Sequence, residues 1–280
     1  MPARPTGFPQ ADAQTDFLRA RRGSQLARLA AMLRRHPGEL GLILPFEEVV
    51  AALGREGERS VGLRTVPLDA IVGTVDRTRE FDRAFRPTSA RVRSRWERIA
   101  AAMRRGEAMP PISLYQIGEL YFVRDGHHRV SVARALGHDV IDAYVTEVST
   151  RVGAGRTITL AELPLKSHER LFFERVPLPP EGRAAIRLSD PWAYGDLAET
   201  IEAWGFRVMQ DRGELLDRAE VAGAWFEEEY QPVVAMLHEA DLVGRRSDIE
   251  AYMRVACDRY RLLHTHEWSE EILARLREAM

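Results

Sequence analysis

The residues best suited to chemistry form one continuous stretch, Asp-Gly-His-His-Arg at positions 125–129. Residues 120–124 before it alternate and are rich in β-forming side chains, which predicts a strand. The spacing of apolar residues from 130 to 136 after it, closed by Gly137, predicts a short helix. The free N–H groups of that helix's first turn and the helix dipole favour an anion. The stretch therefore predicts a phosphate site, and the alternative is an ordinary capping turn.

Each residue of the stretch has an expected role. Asp125 should cap the helix with its carboxylate. The backbone N–H groups of Gly126, His127 and His128 should face the phosphate. The two imidazoles and the Arg129 guanidinium should donate to its oxygens.

Metal binding is the weaker interpretation of the histidines. His127 and His128 diverge on a helix, and His138 lies beyond the glycine that ends it, so a cluster of these residues with Asp125 is disfavoured. A second polar trio near the C-terminus lacks a companion motif: His264, His266 and Glu267. The sequence therefore predicts no metal site built from these side chains.

A basic segment precedes the stretch. Residues 77–105 contain ten arginines and three acidic residues, a local balance of +7 in a chain of formal net charge −2. Such a concentration of positive charge attracts anions. Arg77 and Arg79 are expected to neutralise the phosphates.

Phosphoryl transfer would require a carboxylate to position the acceptor hydroxyl. The acidic residues near the basic segment and the stretch leave four candidates for this role: Asp76, Glu80, Asp82 and Asp125.

Composition indicates a globular protein. The chain has 280 residues, 45% of them hydrophobic, which is enough for one large or two modest domains. No apolar run approaches the ~18 residues of a membrane helix, and the N-terminus lacks a signal-peptide pattern, so we expect no membrane partner and a cytoplasmic location. Cys257 is the only cysteine, which excludes an intrachain disulfide. Its pattern places it in a helix and predicts a core position.

Residues 1–61 read as an N-terminal helical arm. Residues 1–16 are predicted to be disordered. Residues 17–33 predict an amphipathic helix, and a second short helix should begin near Pro45 and end at Gly54. The apolar face of the first helix comprises Leu18, Leu26, Leu29 and Leu33.

Residues 62–148 predict an α+β domain. A short strand at 65–71 is followed by an irregular polar segment, 72–87, and by a helix at 89–105 with Trp96 on its apolar face. A hairpin turning at Gly118, the helix after Asp125 and a strand at 140–148 complete the domain.

These elements carry a family resemblance. Residues 62–148 resemble the ParB/sulfiredoxin-type domain of ParB proteins and their relatives. The resemblance lies in VPLDAI, the basic segment, the helix at 89–105, MPPISLYQIGELYFVRDGHHR and VSVARALG, in that order. In that superfamily the turn at 126–129 binds nucleotide phosphates, so the resemblance implies a nucleotide ligand, ATP, ADP or CTP, with Mg²⁺. Sulfiredoxins have a catalytic cysteine where this chain has His127, and ParB clamps have Glu-Arg-Arg at positions 127–129. The motif DGHHR is most similar to that of free serine kinases and of other superfamily members that do not act in chromosome partitioning.

The remainder of the chain predicts a connector at 149–189 and a helical domain at 190–280, similar to the helical extension of some ParB-like proteins. Helices are expected at 191–204, at 215–237 with a kink at Pro232, at 247–263 and at 268–280. Ser247 and Glu250 should form a capping box.

Three functions fit these features. The first is a nucleotide-binding protein, either a nucleotide hydrolase or a small-molecule phosphotransferase. The second is a DNA-binding or regulatory protein that uses residues 77–105, although the near-neutral chain has no recognisable base-reading helix. The third is a non-catalytic module whose helical half binds a partner.

Overall fold

The computed structural model describes residues 6–33, 42–263, 266–269, 271–272 and 274–275. The chain divides into two compact units, 1–163 and 164–280. The first unit contains a six-stranded mixed sheet with helices, and the second is helical where it is described. The predicted α+β class is confirmed.

The sheet of the first unit combines parallel and antiparallel pairs. Its spatial order is β1-β3-β5-β4-β6-β2. β1 and β3 are parallel, as are β3 and β5, and β4 and β6, whereas the β4–β5 and β2–β6 pairs are antiparallel. The strands are β1 Leu44–Pro45, β2 Arg55–Pro67, β3 Ile71–Thr74, β4 Ile112–Ile117, β5 Leu120–Asp125 and β6 Val140–Thr150. The predicted hairpin and the strands at 120–124 and 140–148 are confirmed.

Four α-helices belong to this unit: α1 Pro9–Leu33, α2 Phe46–Leu53, α3 Arg93–Arg104 and α4 His127–Leu136. A buried apolar cluster joins α1, α3 and α4 to one face of the sheet. Phe17 meets Trp96 edge to face with ring centroids 5.6 Å apart, and Trp96 Nε1 donates to Ser131 Oγ at 2.8 Å. One indole therefore connects three helices. Gly137, in the left-handed conformation, ends α4 as predicted.

The N-terminal helix differs from its prediction in two respects. Residues 9–16, predicted to be disordered, are the first two turns of α1, and Ala13 is fully buried there. Asp16 is also buried and accepts from Arg104 Nε at 2.8 Å and Nη2 at 2.6 Å. The helix packs through Phe17 and this ion pair, which local periodicity cannot reveal. The leucines predicted to face the core are exposed instead: Leu18, Leu26, Leu29 and Leu33.

The predicted boundary between residues 61 and 62 falls inside a strand. β2 begins at Arg55 and runs to Pro67, paired along its length with β6. The segment 72–87 was predicted to be too polar for the core, but β3 is buried throughout and Phe81 and Phe85 are also buried. These two aromatic rings pack into the core, although the arginines around them make the segment polar in overall composition.

The predicted connector 149–189 contains ordered helices, and the second unit begins within it. The helices from there to the C-terminus are α5 Leu163–Arg175, α6 Pro180–Ala185, α7 Ala193–Arg212, α8 Arg218–Ala224, α9 Gln231–Glu239 and α10 Asp248–Leu263.

The helix predicted at 215–237 is interrupted. Asp217 caps α8 through the N–H groups of residues 219 and 220, and the π-helical segment Trp225–Tyr230 separates α8 from α9. Pro232 lies in the first turn of α9, where its missing N–H is tolerated. The Ser247–Glu250 capping box is confirmed by reciprocal contacts at 3.4 Å.

Cys257 lies in α10, as predicted, but it is exposed rather than buried. The helix predicted at 268–280 lies mostly outside the described residues, as does His264. None of the described helices combines the length and the apolar character needed to cross a membrane.

The close approach of β3 to its neighbours generates a stability prediction. A Cβ on Gly73 would lie 2.2 Å from Phe122 Cδ1 and 2.6 Å from the Leu44 carbonyl oxygen, and the backbone cannot yield. We expect Gly73→Ala to lower the free energy of unfolding by about 1 to 3 kcal/mol in urea denaturation. The control is Gly57→Ala in β2, where a Cβ meets nothing within 4 Å. Equal losses in the two variants would contradict this packing.

Candidate functional site

The candidate site lies where two parallel strands end. β3 ends at Thr74 and β5 ends at Asp125, with Thr74 in register with Val123. Because parallel strands end at the same edge of a sheet, residues that follow β3 meet residues that follow β5. The first turn of α4 and the loop after Thr74 are thereby brought together.

Gly126 makes the turn from β5 into α4. Its φ is 101°, and a Cβ there would lie 2.3 Å from Ile112 Cγ2, so both conformation and space require glycine. Gly126 is the N-cap residue, and no side chain caps the helix. The predicted cap by Asp125 is therefore wrong: Asp125 is the last residue of β5, and its Oδ2 accepts from Arg129 Nη2 at 2.7 Å. The helix N-terminus lacks a side-chain acceptor.

His127 is buried at the base of this turn. Its Nε2 lies 2.6 Å from Thr74 Oγ1 and 3.6 Å from Asp76 Oδ1. Burial lowers the pKa of His127 to about 4, against the opposing attraction of Asp76. The ring is therefore neutral near pH 7, and its hydrogen bond to Thr74 ties α4 to the end of β3.

His128 is the residue whose hydrogen bonding is incomplete. It is 7% exposed, and its buried Nδ1 has no hydrogen-bond partner among the described residues. Burial, followed by the charge of Arg95, lowers the pKa of His128 to about 4. An unpaired buried ring nitrogen costs free energy, so a ligand atom that pairs with it gains affinity.

Two arginines, Arg77 and Arg95, line a small cleft over the turn 125–129, with Ile99 completing the wall. The cleft volume is about 30 Å³. Arg77 Nη1 donates to Glu80 Oε2 at 2.8 Å, whereas Arg95 has no ion-pair partner among the described residues. Positive charge is therefore concentrated at Arg95.

Arg129 lines the same cleft but is already bonded. Its Nη1 donates to the carbonyl oxygens of Pro110 and Pro111, and its Nη2 donates to Asp125. The guanidinium thereby connects α4 to the start of β4, and this structural role was not expected from the sequence.

The remaining predicted site residues lie in three different environments. Arg79 is exposed and does not line the cleft. Asp82 is buried in the loop, where its oxygens accept from the N–H groups of Ala84 and Arg86 at 3.0 and 2.9 Å and from Arg86 Nε at 2.8 Å. Asp82 therefore stabilises the loop. Asp76 remains as an exposed carboxylate beside His127.

Two members of the site were missed in the sequence. Thr74 ends a strand that the sequence did not predict. Arg95 was not singled out within the basic segment, although it is adjacent to buried Trp96 and lies one helical turn before Ile99. That spacing is the signal that could have identified it.

No family model, curated protein or solved structure matches this chain. The case for a function therefore depends on the geometry of the site. Across the part of the chain that is described, no group of three or more His, Cys, Asp or Glu residues is arranged to hold a metal ion.

The buried histidines generate a pH prediction. Their pKa values are about 4 in the folded chain against 6.5 in an unfolded one, so the unfolded state binds more protons between these values. The free energy of unfolding should therefore fall as the pH is lowered from 6.5 to 4, by at most ~1.4 kcal/mol per pH unit for each histidine. Urea denaturation of a His127→Gln, His128→Gln double variant should show a shallower pH slope. The control is His138→Gln at an exposed position, and a slope unchanged in the double variant would contradict the burial.

The bonds of Arg129 generate a second prediction. Arg129→Ala removes its donors to two proline carbonyls, which should lower the free energy of unfolding by about 2 kcal/mol. Asp125→Ala should cost less than about 1 kcal/mol, because that carboxylate is exposed and caps nothing. Thermal denaturation of both variants tests the order, and a larger loss in Asp125→Ala would restore the capping role.

Proposed function

We propose that the cleft at the N-terminus of α4 binds the phosphate group of a nucleotide. The main support is His128, a residue of the cleft wall whose buried Nδ1 lacks a hydrogen-bond partner among the described residues. The uncapped N–H groups of the first turn and Arg95, which lines the same cleft without an ion-pair partner among the described residues, add further donors. Neutral donors combined with arginine suit a phosphate oxygen.

The size of the cleft restricts what enters it. A volume of about 30 Å³ exceeds the 10–15 Å³ that a single water needs, but it cannot enclose a nucleoside. One phosphate group would therefore occupy the cleft, and the sugar and base would extend across the surface. Recognition at this position would depend on the phosphate more than on the base, so ATP, ADP and CTP all remain candidates.

A phosphotransfer role would use the carboxylates that the structure leaves accessible. Asp76 is exposed, and its Oδ1 lies 3.6 Å from the neutral His127 ring. Glu80 is paired with Arg77, and Asp82 is occupied by its loop. Among the four candidates, Asp76 is best placed to position an acceptor hydroxyl.

Magnesium would enter with the nucleotide. Mg²⁺ in proteins is commonly held by one or two carboxylates together with substrate phosphates, so a preformed cluster is not required. Asp76 and Asp125, both exposed beside the turn, are the residues that would hold it. Such an ion would neutralise charge on the phosphates.

Ion pairing weakens the alternative of DNA binding through residues 77–105. Five of the ten arginines there pair with carboxylates: Arg77, Arg86, Arg93, Arg104 and Arg105. Their charge is largely neutralised within the protein, which reduces the phosphate contacts available to a duplex. The structure offers no specific observation in favour of the partner-binding module.

The test is nucleotide binding by variants of the cleft arginines. ATP, ADP, CTP and GTP with magnesium are first compared by thermal shift, since a ligand of the folded state raises its stability. Arg95→Ala and Arg77→Ala should then weaken binding by about 1 to 3 kcal/mol, measured by calorimetry. The larger loss is expected for Arg95, because Arg77 is paired with Glu80 whereas Arg95 has no ion pair among the described residues. Arg79→Ala is the matched control, because Arg79 is exposed outside the cleft.

Two outcomes would overturn the proposal. One is that the parent protein binds none of the four nucleotides. The other is that Arg95→Ala and Arg77→Ala bind with the affinity of Arg79→Ala, which would show that the bound nucleotide lies elsewhere.

A further inference from the structure

The second unit contains a cavity that has no part in the cleft described above. Its volume is about 540 Å³, within the range of sites that bind small organic molecules. Residues of α7, the π-helical segment and α10 line it, with His266 beyond α10. Its wall includes aromatic residues and three arginines, Arg207, Arg254 and Arg259, of which Arg259 is buried.

Arg259 is the unusual member of this wall. It is 4% exposed, its buried Nε has no hydrogen-bond partner, and no carboxylate of the described residues lies within ion-pair distance. Its Nη1 makes only a long contact, 3.5 Å, to the Glu267 carbonyl, and its Cζ stands 3.8 Å from the Trp268 ring centroid. A buried charge that makes no direct ion pair is costly, and burial lowers the pKa of Arg259 against the opposing attraction of Glu229. An anion in the cavity would relieve that cost.

Glu229, whose charge acts on Arg259, makes its direct hydrogen bonds with other side chains. Glu229 Oε1 accepts from Trp268 Nε1 at 2.7 Å and from Tyr252 Oη at 3.3 Å. Glu229 belongs to the π-helical segment, a rare conformation that is frequent at functional sites. These bonds fix Tyr252, which lines the cavity, and Trp268, whose ring packs on Arg259. They also leave Arg259 as a donor directed at the ligand space.

We propose that this cavity binds an organic monoanion, with a carboxylate against Arg259 and Arg207 and an apolar body against Trp204, Tyr252 and Tyr260. Asp196 and Glu229 also line the cavity. Against these two carboxylates the lining holds three arginines, Arg207, Arg254 and Arg259, so its formal balance is +1. A single carboxylate matches that balance, whereas a dianion such as a phosphate ester exceeds it. The apolar walls match an aliphatic or aromatic chain.

The test compares octanoate with octan-1-ol, which has the same chain length and no charge, by isothermal titration calorimetry on the full chain. We expect octanoate to bind and octan-1-ol to bind at least tenfold more weakly. Arg259→Gln should weaken octanoate at least tenfold. Arg207→Gln should also weaken it, and this variant decides the matter if Arg259→Gln fails to fold. Arg245→Gln, at an exposed position of the same unit that does not line the cavity, should leave binding unchanged.

Three results would overturn the proposal. Octanoate could fail to bind at millimolar concentration, or octan-1-ol could bind equally well, which would show that no anion is recognised. Octanoate could also bind equally to the Arg207→Gln and Arg245→Gln variants. Because Arg95→Ala alters only the cleft of the first unit, octanoate binding should survive in it whatever happens to nucleotide binding.

Discussion

The parallel pairing of β3 with β5 is the constraint from which the candidate site follows. It places the ends of the two strands at one edge of the sheet, so that Thr74 reaches the first turn of α4. The pairing is possible because Gly73 lets β3 approach Phe122 and the Leu44 carbonyl, where any side chain would collide. Gly126 then turns the chain directly into α4. Two glycines thus determine where the helix N-terminus points.

The residues around the cleft differ in how much positive charge they offer to an anion. The two histidines are neutral at physiological pH because they are buried, and Arg129 and Arg77 already contact oxygen acceptors of the protein. The helix N-terminus and Arg95 therefore provide most of the attraction for an anion. Trp96, adjacent to Arg95 in α3, donates to Ser131 of α4 and so fixes the backbone of α3 against α4. This core contact sets the distance between the Arg95 backbone and the first turn of α4.

The sequence predicted the local features of this arrangement and not the long-range ones. The hairpin, α4 and its closing glycine follow from alternation, turn residues and helical spacing, all of which act over a few residues. Asp125 was assigned to the cap because strand and helix boundaries are uncertain by one or two residues in any pattern analysis. The contacts of Asp16 with Arg104 and of Thr74 with His127 join residues far apart in the chain. No local periodicity encodes them, so α1 was assigned the wrong buried face and β3 was missed.

We expect a phosphate group in the cleft to pair with the buried ring nitrogen of His128. NMR of the chain labelled with ¹⁵N-histidine measures this pairing at the atom concerned, with inorganic pyrophosphate as the probe because the cleft holds only a phosphate-sized group. The His128 ring nitrogens should shift on titration, whereas those of exposed His138 should not. The shift should be lost in Arg95→Ala. Ring-nitrogen signals of His128 that stay unchanged at saturating pyrophosphate would show that no such pairing exists.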